Sequence, residues 1–233
     1  MKKIFVTFGN ERFVNSKERL KRQVKDFEYF DELHILSEAD LDPSFLNNNL
    51  QFMRENRGFG YWIWKPYVIK RLMDKMNEGD LLLYLDAGSH LNIEGKKRFL
   101  EYVDIAMKHG VVAMQNEHLE IKFTKKQVLE QFPNVNPYTK QHQGHMILFI
   151  KNDKTEKLTN AWYAMSLNRS NFDDSLTYNE NPHFVDHRHD QSCLSMLIKD
   201  MNLEDGMIED ETYFPNEWHK KLEYPVHARR DRF

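Results

Sequence analysis

The chain has 233 residues, 40% hydrophobic and 30% charged, with 33 basic and 36 acidic side chains and a formal net charge of -3. That length suits one large domain with a sizeable core, and the balanced charge gives no electrostatic case for nucleic acid as a partner. No apolar run reaches the length of a membrane-spanning helix, Met1-Lys2-Lys3 leads into a strand pattern rather than a signal-peptide core, and the single Cys193 excludes an internal disulfide or a cysteine metal cluster.

In chain order, Lys3 to Phe8 reads as a first strand that breaks at Gly9-Asn10. Ser16 is a candidate N-cap for a surface helix with Leu20, Val24 and Phe27 inward, and Leu33 to Leu36 makes a second short strand. Arg57 to Tyr67 is the densest aromatic stretch, with Trp62 and Trp64 two apart and expected to face the same way on an extended segment. Pro66 suits the first position of a helix that carries Val68, Leu72, Met73 and Met76 inward and ends at Gly79. Leu81 to Leu85 is an unbroken apolar run, the signature of a strand buried on both faces. Ile93 to His109 reads as an amphipathic helix and Val111 to Met114 as another strand. Strand and helix thus alternate, which predicts an α/β fold with a mostly parallel sheet flanked by helices.

The second half is less regular. Lys125 to Phe132 reads as a short helix stopped by Pro133, and Met146 to Ile150 as a strand preceded by the polar run Gln141 to His145. Asp153 to Met165 reads as a helix, Asn168 to Pro182 as a polar loop, and His187 onward as a final helix before a basic, aromatic tail. With no repeat and no linker, the organisation predicted is one domain over 1–233, with residues 1–115 as a ligand-binding half and 116–233 as a second half with the tail.

Three constellations carry candidate chemistry. Asp86-Ala87-Gly88 follows the buried strand, where open parallel sheets bind ligands, and the glycine lets a phosphate or metal approach the backbone. Asp86 also fits a plain turn. His187, Asp190 and Gln191, counted at helical spacing, make the final helix's inward face polar in its first turn, so they satisfy one another or line a cleft. Arg57 and Lys65 flank the aromatic stretch and suit a pyrophosphate, while most of those rings suit the core. The basic tail is a solvated end or, folded over the cleft, brings His227 and one arginine near a diphosphate.

The blocks Gly58 to Tyr67, Gly79 to Gly88 and His187 to Ser192, in this order and spacing, resemble a family of GT-A-type glycosyltransferases found among bacterial surface-polysaccharide genes and large DNA viruses. The resemblance covers Lys3 to about Leu203. It implies a Rossmann-like fold, a nucleotide-sugar donor, and a saccharide or lipid-linked acceptor in capsule or lipopolysaccharide synthesis. Such a protein would be cytoplasmic, with a lipid-linked acceptor drawing it to the inner face of the membrane as a peripheral partner. Donor contacts fall on Thr7, Gly9, Arg57, Lys65, Asp86, Gly88 and His187, and the catalytic pair on Asp190 and Gln191.

Asp86 matches the first Asp of the family's Asp-x-Asp motif, which holds Mn²⁺ or Mg²⁺, but Gly88 stands where the second is expected. His227, with His90, His187 or another carboxylate as alternatives, completes a metal site with Asp86, or dependence on the metal is weak. Asp190-Gln191 resembles the Asp-Gln of retaining members, while an inverting enzyme would use a carboxylate as general base; Asp190 fits either. Two other classes remain: a metal-dependent phosphohydrolase built on His189-Asp190, against which the strands count, and a non-catalytic nucleotide-sugar-binding module.

Overall fold

The computed structural model describes residues 1–232. β1 (Lys3–Phe8) leads through α1 (Val14–Asp26) to β2 (Glu32–Leu36); α2 (Pro43–Met53), the single turn α3 (Gly58–Tyr61) and α4 (Trp64–Met73) then lead to β3 (Leu81–Leu85). β4 (His90–Leu91), α5 (Lys96–His109) and β5 (Val111–Leu119) follow, then the turns α6 (Glu120–Phe123) and α7 (Lys126–Leu129) and the long β6 (Lys140–Ile150). α8 (Asp153–Leu167), α9 (Asp190–Asp200), β7 (Met207–Glu209) and β8 (Val226–His227) complete the order.

Six strands form one sheet in the order β2-β1-β3-β6-β5-β7, and β4 pairs with β8 in a separate ribbon. β1 pairs in parallel with β2 and β3, and β5 in parallel with β7; β6 alone runs against its neighbours β3 and β5. The mostly parallel sheet expected from the alternating pattern is therefore present. Successive side chains of a strand point to opposite faces, and β3 shows why it had to be apolar throughout. Leu81, Leu83 and Leu85 pack with Leu20 and Val24 of α1 and Phe99 and Val103 of α5, while Leu82 and Tyr84 pack with Val68 and Ile69 of α4, Trp162 of α8 and Leu194 of α9. Each buried leucine contributes about 1.5–3 kcal/mol.

The antiparallel course of β6 positions the site. Its residues Met146 to Ile150 pair with β3, so its N-terminal half runs on past the carboxyl edge of β3, where Asp86 N–H donates to the His145 carbonyl at 2.8 Å. The register of β6 against β5 shifts on either side of Gln115, which bends that half over the edge. The polar run Gln141 to His145, read as a lead-in to a strand, is thus part of β6 and lies beside the carboxyl edge of β3.

Several local expectations change. Ser16 lies inside α1 rather than at its cap, and its hydroxyl donates to the Asp231 carbonyl at 2.7 Å. Pro66 is the third residue of α4, still within the first turn where helical N–H groups lack partners, and α4 ends at Met73, well before Gly79. Trp62 adopts a left-handed conformation at φ 60°, so the two tryptophans diverge: Trp64 stacks on Phe8 at 4.1 Å and Trp62 faces His189. The last helix opens at Asp190, not His187, because His189 takes φ 51°, ψ -115° and breaks the helical path.

Candidate active site

Lys65 is the centre of the carboxyl edge. It projects from the first turn of α4, 2% exposed, and its ammonium lies 3.1 Å from Asp86 Oδ1, 2.6 Å from Asp190 Oδ2 and 3.0 Å from the Gly144 carbonyl. Asp86 directly follows β3 and Asp190 begins α9, so one cation ties together the edge of the sheet, two helices and the bent half of β6. The Tyr84 hydroxyl donates to Asp86 Oδ1 at 2.7 Å, and the Tyr84 ring lies under the Lys65 ammonium at 5.1 Å. Asp190 also sits at a helix N-terminus, where the dipole favours an anion.

The charges divide unevenly. Burial alone would lower the Lys65 pKa, but Asp190 and Asp86 more than offset it, and the ammonium is held. Burial pushes the Asp190 carboxyl up to about 6 despite Lys65. Burial also works to raise Asp86, yet Lys65 and the Tyr84 hydroxyl overcome it and keep that carboxyl below the usual range. The Asp86 side chain retains 37% of its exposure, whereas Asp190 retains 6%. Asp86 therefore presents a charged oxygen to the opening, and Asp190 is the carboxylate held near its point of protonation.

Close approach favours glycine at two positions here. A side chain on Gly144 would bring a Cβ to 3.1 Å from Asp190 Oδ2, and one on Gly88 would meet Arg230 Cα at 3.0 Å. The Gly144 N–H donates to Gln191 Oε1 at 3.3 Å, and Gln191 Nε2 donates to Gln141 Oε1 at 2.6 Å. Behind them lies fully buried Glu120: its Oε1 pairs with Lys199 at 2.7 Å and accepts from Ser195, and its Oε2 accepts from Gln141 Nε2 at 3.0 Å. A carboxylate only accepts, so Gln141 must turn its amide nitrogen toward Glu120 and its oxygen toward Gln191. The orientation of Gln191 follows from a buried ion pair two residues removed.

The tail lies over the other side of the edge. β8 pairs with β4, and the chain then crosses the Asp86–Gly88 turn, where Asp231 N–H donates to the Gly88 carbonyl at 3.2 Å and the Asp231 carboxylate meets His90 Nε2 at 2.8 Å.

No family model and no curated protein sequence matches the chain. Solved structures do. A glycosyltransferase involved in the glycosylation of the major capsid of PBCV-1 superposes with a TM-score of 0.54 at 8% identity, covering 97% of this chain and 94% of that one. The fold is that of the GT-A glycosyltransferases. The galactosyltransferase LgtC, in complex with donor and acceptor sugar analogs, superposes with a TM-score of 0.50 at 12% identity over 97% of this chain and 86% of that one.

On this GT-A frame the expected site residues separate into groups. Lys65, Asp86, Asp190 and Gln191 converge, while Gly9 lies against Phe13 and Ala87, where a Cβ would stand 2.7 and 3.3 Å away. Thr7, near the end of β1, is fully buried and its hydroxyl has no hydrogen-bond partner among the described residues. Arg57 is spent on Asp174 and Asp186 at 2.9 and 3.0 Å, a clamp between the aromatic turn and the loop before α9. His187 is enclosed, with Nε2 2.8 Å from the Asn171 carbonyl and Nδ1 accepting from Lys125 N–H, so both ring nitrogens are used within the fold. Burial lowers the pKa of His187, and of His189 to about 4, so both rings are neutral. His189 gives Nδ1 to the Phe172 carbonyl.

The metal expectation meets a poor donor set. Asp86 Oδ1 already takes Lys65 and Tyr84, His227 Nε2 lies 2.9 Å from the Lys221 carbonyl, and His90 is bound to Asp231. Among the described residues no three His, Cys, Asp or Glu side chains form a group that could hold a metal ion. Asp86 and His227 do not build the cation site expected of them. Nor is any helix among the described residues long and apolar enough to cross a membrane.

Sequence reasoning passed over Tyr84, Gly144, Gln141 and Glu120. Tyr84 had a signal, being the one hydroxyl in an otherwise aliphatic strand, and Gln141 to His145 stood out as polar. Glu120 had none.

Proposed function

We propose that this chain transfers a glycosyl group from a nucleotide-diphosphate-sugar to a saccharide or lipid-linked saccharide acceptor. The observation that carries this reading is the Asp86–Lys65–Asp190 bridge at the carboxyl edge of a GT-A sheet. It sets one exposed, ionised carboxylate beside one enclosed carboxylate of raised pKa, two different tasks at one edge.

Asp86 takes the donor side, its outward oxygen accepting from donor hydroxyls. Asp190 and Gln191 take the reacting-sugar side: Asp190 supplies negative charge against the positive character that builds at the anomeric carbon, and Gln191 is held to orient the sugar or acceptor. Lys65 fixes the spacing between the two carboxylates, so little reorganisation is needed as charge develops. The placement of the acceptor in surface-polysaccharide synthesis, capsule or lipopolysaccharide, and at a membrane face rests on the resemblance of the sequence blocks.

A donor screen for nucleotide release, on wild type, Asp86→Ala and Asp190→Ala, tests the proposal. Turnover of at least one nucleotide-sugar, lost in both folded variants, supports it. Hydrolysis of phosphomonoesters without nucleotide-sugar binding would favour a phosphohydrolase instead, and nucleotide-sugar binding without turnover a binding module.

A further inference from the structure

The tail occupies the place where a second metal-binding carboxylate would project. A Cβ at Gly88 would stand 3.0 Å from Arg230 Cα and 3.2 Å from its carbonyl carbon. Backbone atoms yield less readily than the end of a long side chain, so a side chain at position 88 would press the tail a few tenths of an ångström off its course. The tail is anchored there on both sides: Asp231 N–H on the Gly88 carbonyl, the Ser16 hydroxyl on the Asp231 carbonyl, and His90 on the Asp231 carboxylate. The glycine and the tail are one device, and what the tail brings to the edge is positive: Arg229, Arg230 and Arg232 surround the single Asp231.

Charge balance then asks for a cation. Lys65 is enclosed and neutralised by two carboxylates, which leaves the bridge with one net negative charge when both are ionised. A donor diphosphate adds about two more, and something must offset them. Arg230 is exposed, with its guanidinium over the Tyr213 ring at 5.6 Å and its backbone against the Gly88 turn. A guanidinium matches a phosphate's paired oxygens and remains charged at any working pH.

We propose that Arg230 takes the role a divalent cation would fill, so that the chain binds the diphosphate of its donor without a metal. This rests on the glycosyl-transfer reading. The ligand class is a nucleoside diphosphate, and the subsite is the Gly88 turn together with Arg230, whose backbone lies against it.

The test is calorimetric titration of the full chain with UDP, GDP, ADP and dTDP, in EDTA and again with MnCl₂, for wild type, Arg230→Ala and Arg229→Ala. Turnover of the matching nucleotide-sugars is followed in the same buffers. At least one diphosphate should bind in EDTA, with affinity changed less than about twofold by Mn²⁺. Loss of a charged hydrogen-bonding group should weaken it about 10- to 100-fold in Arg230→Ala. Arg229, which lies over Trp218 at 5.5 Å, is the control for general positive charge and should matter less than about threefold. Binding that appears only with Mn²⁺, or binding in EDTA that Arg230→Ala leaves intact, would overturn this inference while leaving glycosyl transfer standing. If no diphosphate binds and no nucleotide-sugar turns over in either buffer, the glycosyl-transfer reading itself fails.

Discussion

Replacing Lys65 by Met keeps much of the side chain's apolar volume and removes its charge, which isolates the electrostatic role of the bridge. In the wild type the ammonium lies within 3.1 Å of Asp86, Asp190 and the Gly144 carbonyl, and is 2% exposed. Its loss leaves two carboxylates, Asp190 enclosed and Asp86 part-exposed, without their shared cation. Breaking a buried ion pair costs about 3–5 kcal/mol, a large part of the roughly 5–15 kcal/mol available to a folded chain.

The cost should depend on pH in a defined direction. The folded Asp190 carboxyl is raised from 3.8 to about 6, so its proton is bound more tightly in the folded than in the unfolded chain. Stability from this group is therefore fullest below 3.8 and declines as pH rises toward 6. Without Lys65 the carboxyl rises further, and the decline continues above pH 6. Urea unfolding at pH 5 and pH 8, followed by fluorescence of Trp62, Trp64 and Trp162, should show Lys65→Met losing about 3–5 kcal/mol at pH 8 and distinctly less at pH 5. A loss under about 1 kcal/mol, or a larger loss at pH 5 than at pH 8, would refute the bridge as an electrostatic clamp.

Other consequences follow from the same geometry. Tyr84→Phe removes a hydrogen bond that favours ionised Asp86, so the acid limb of the pH–rate profile should move upward, while an unmoved limb would show that Asp86 does not control it. Gly144→Ala puts a methyl 3.1 Å from Asp190 Oδ2; turnover should fall at least about tenfold for a stability loss of roughly 1–3 kcal/mol, read from paired kinetics and denaturation. Glu120→Gln removes the charge that dictates the Gln141 amide orientation and leaves Lys199 without its carboxylate, held only by the Lys140 carbonyl. It should lower kcat more than it raises KM for the acceptor, and unchanged kcat in folded protein would separate Glu120 from Gln191.

Elements whose neighbours are local in sequence were legible. Leu81 to Leu85 announced a strand buried on both faces, and Asp86 announced its carboxyl end, because apolar periodicity and a chain break are both short-range signals. The convergence of Lys65, Asp86 and Asp190 was foreseen as a neighbourhood but not as a bridge: Lys65 was expected to meet the ligand and instead holds two carboxylates, because the first turn of α4 sets its ammonium over the Tyr84 ring, between Asp86 and Asp190. His187 was placed on the final helix by counting spacing, but no periodicity foretells the positive φ of His189 that ends the helical path. Arg57 went to Asp174 and Asp186, partners more than a hundred residues away that spacing cannot reveal. Gly88 looked like a missing ligand, and its reason, the backbone of Arg230 lying against it, sits 142 residues further on.

Asp86 and Asp190, held apart by Lys65, are the proposed site of glycosyl transfer. Nucleotide release from a panel of nucleotide-sugars, measured on wild type, Asp86→Ala and Asp190→Ala with folding verified by circular dichroism, tests it most directly. Release from at least one donor by the wild type, with a loss of about a hundredfold or more in each variant, is the expected result. Undiminished release in either folded variant would contradict it.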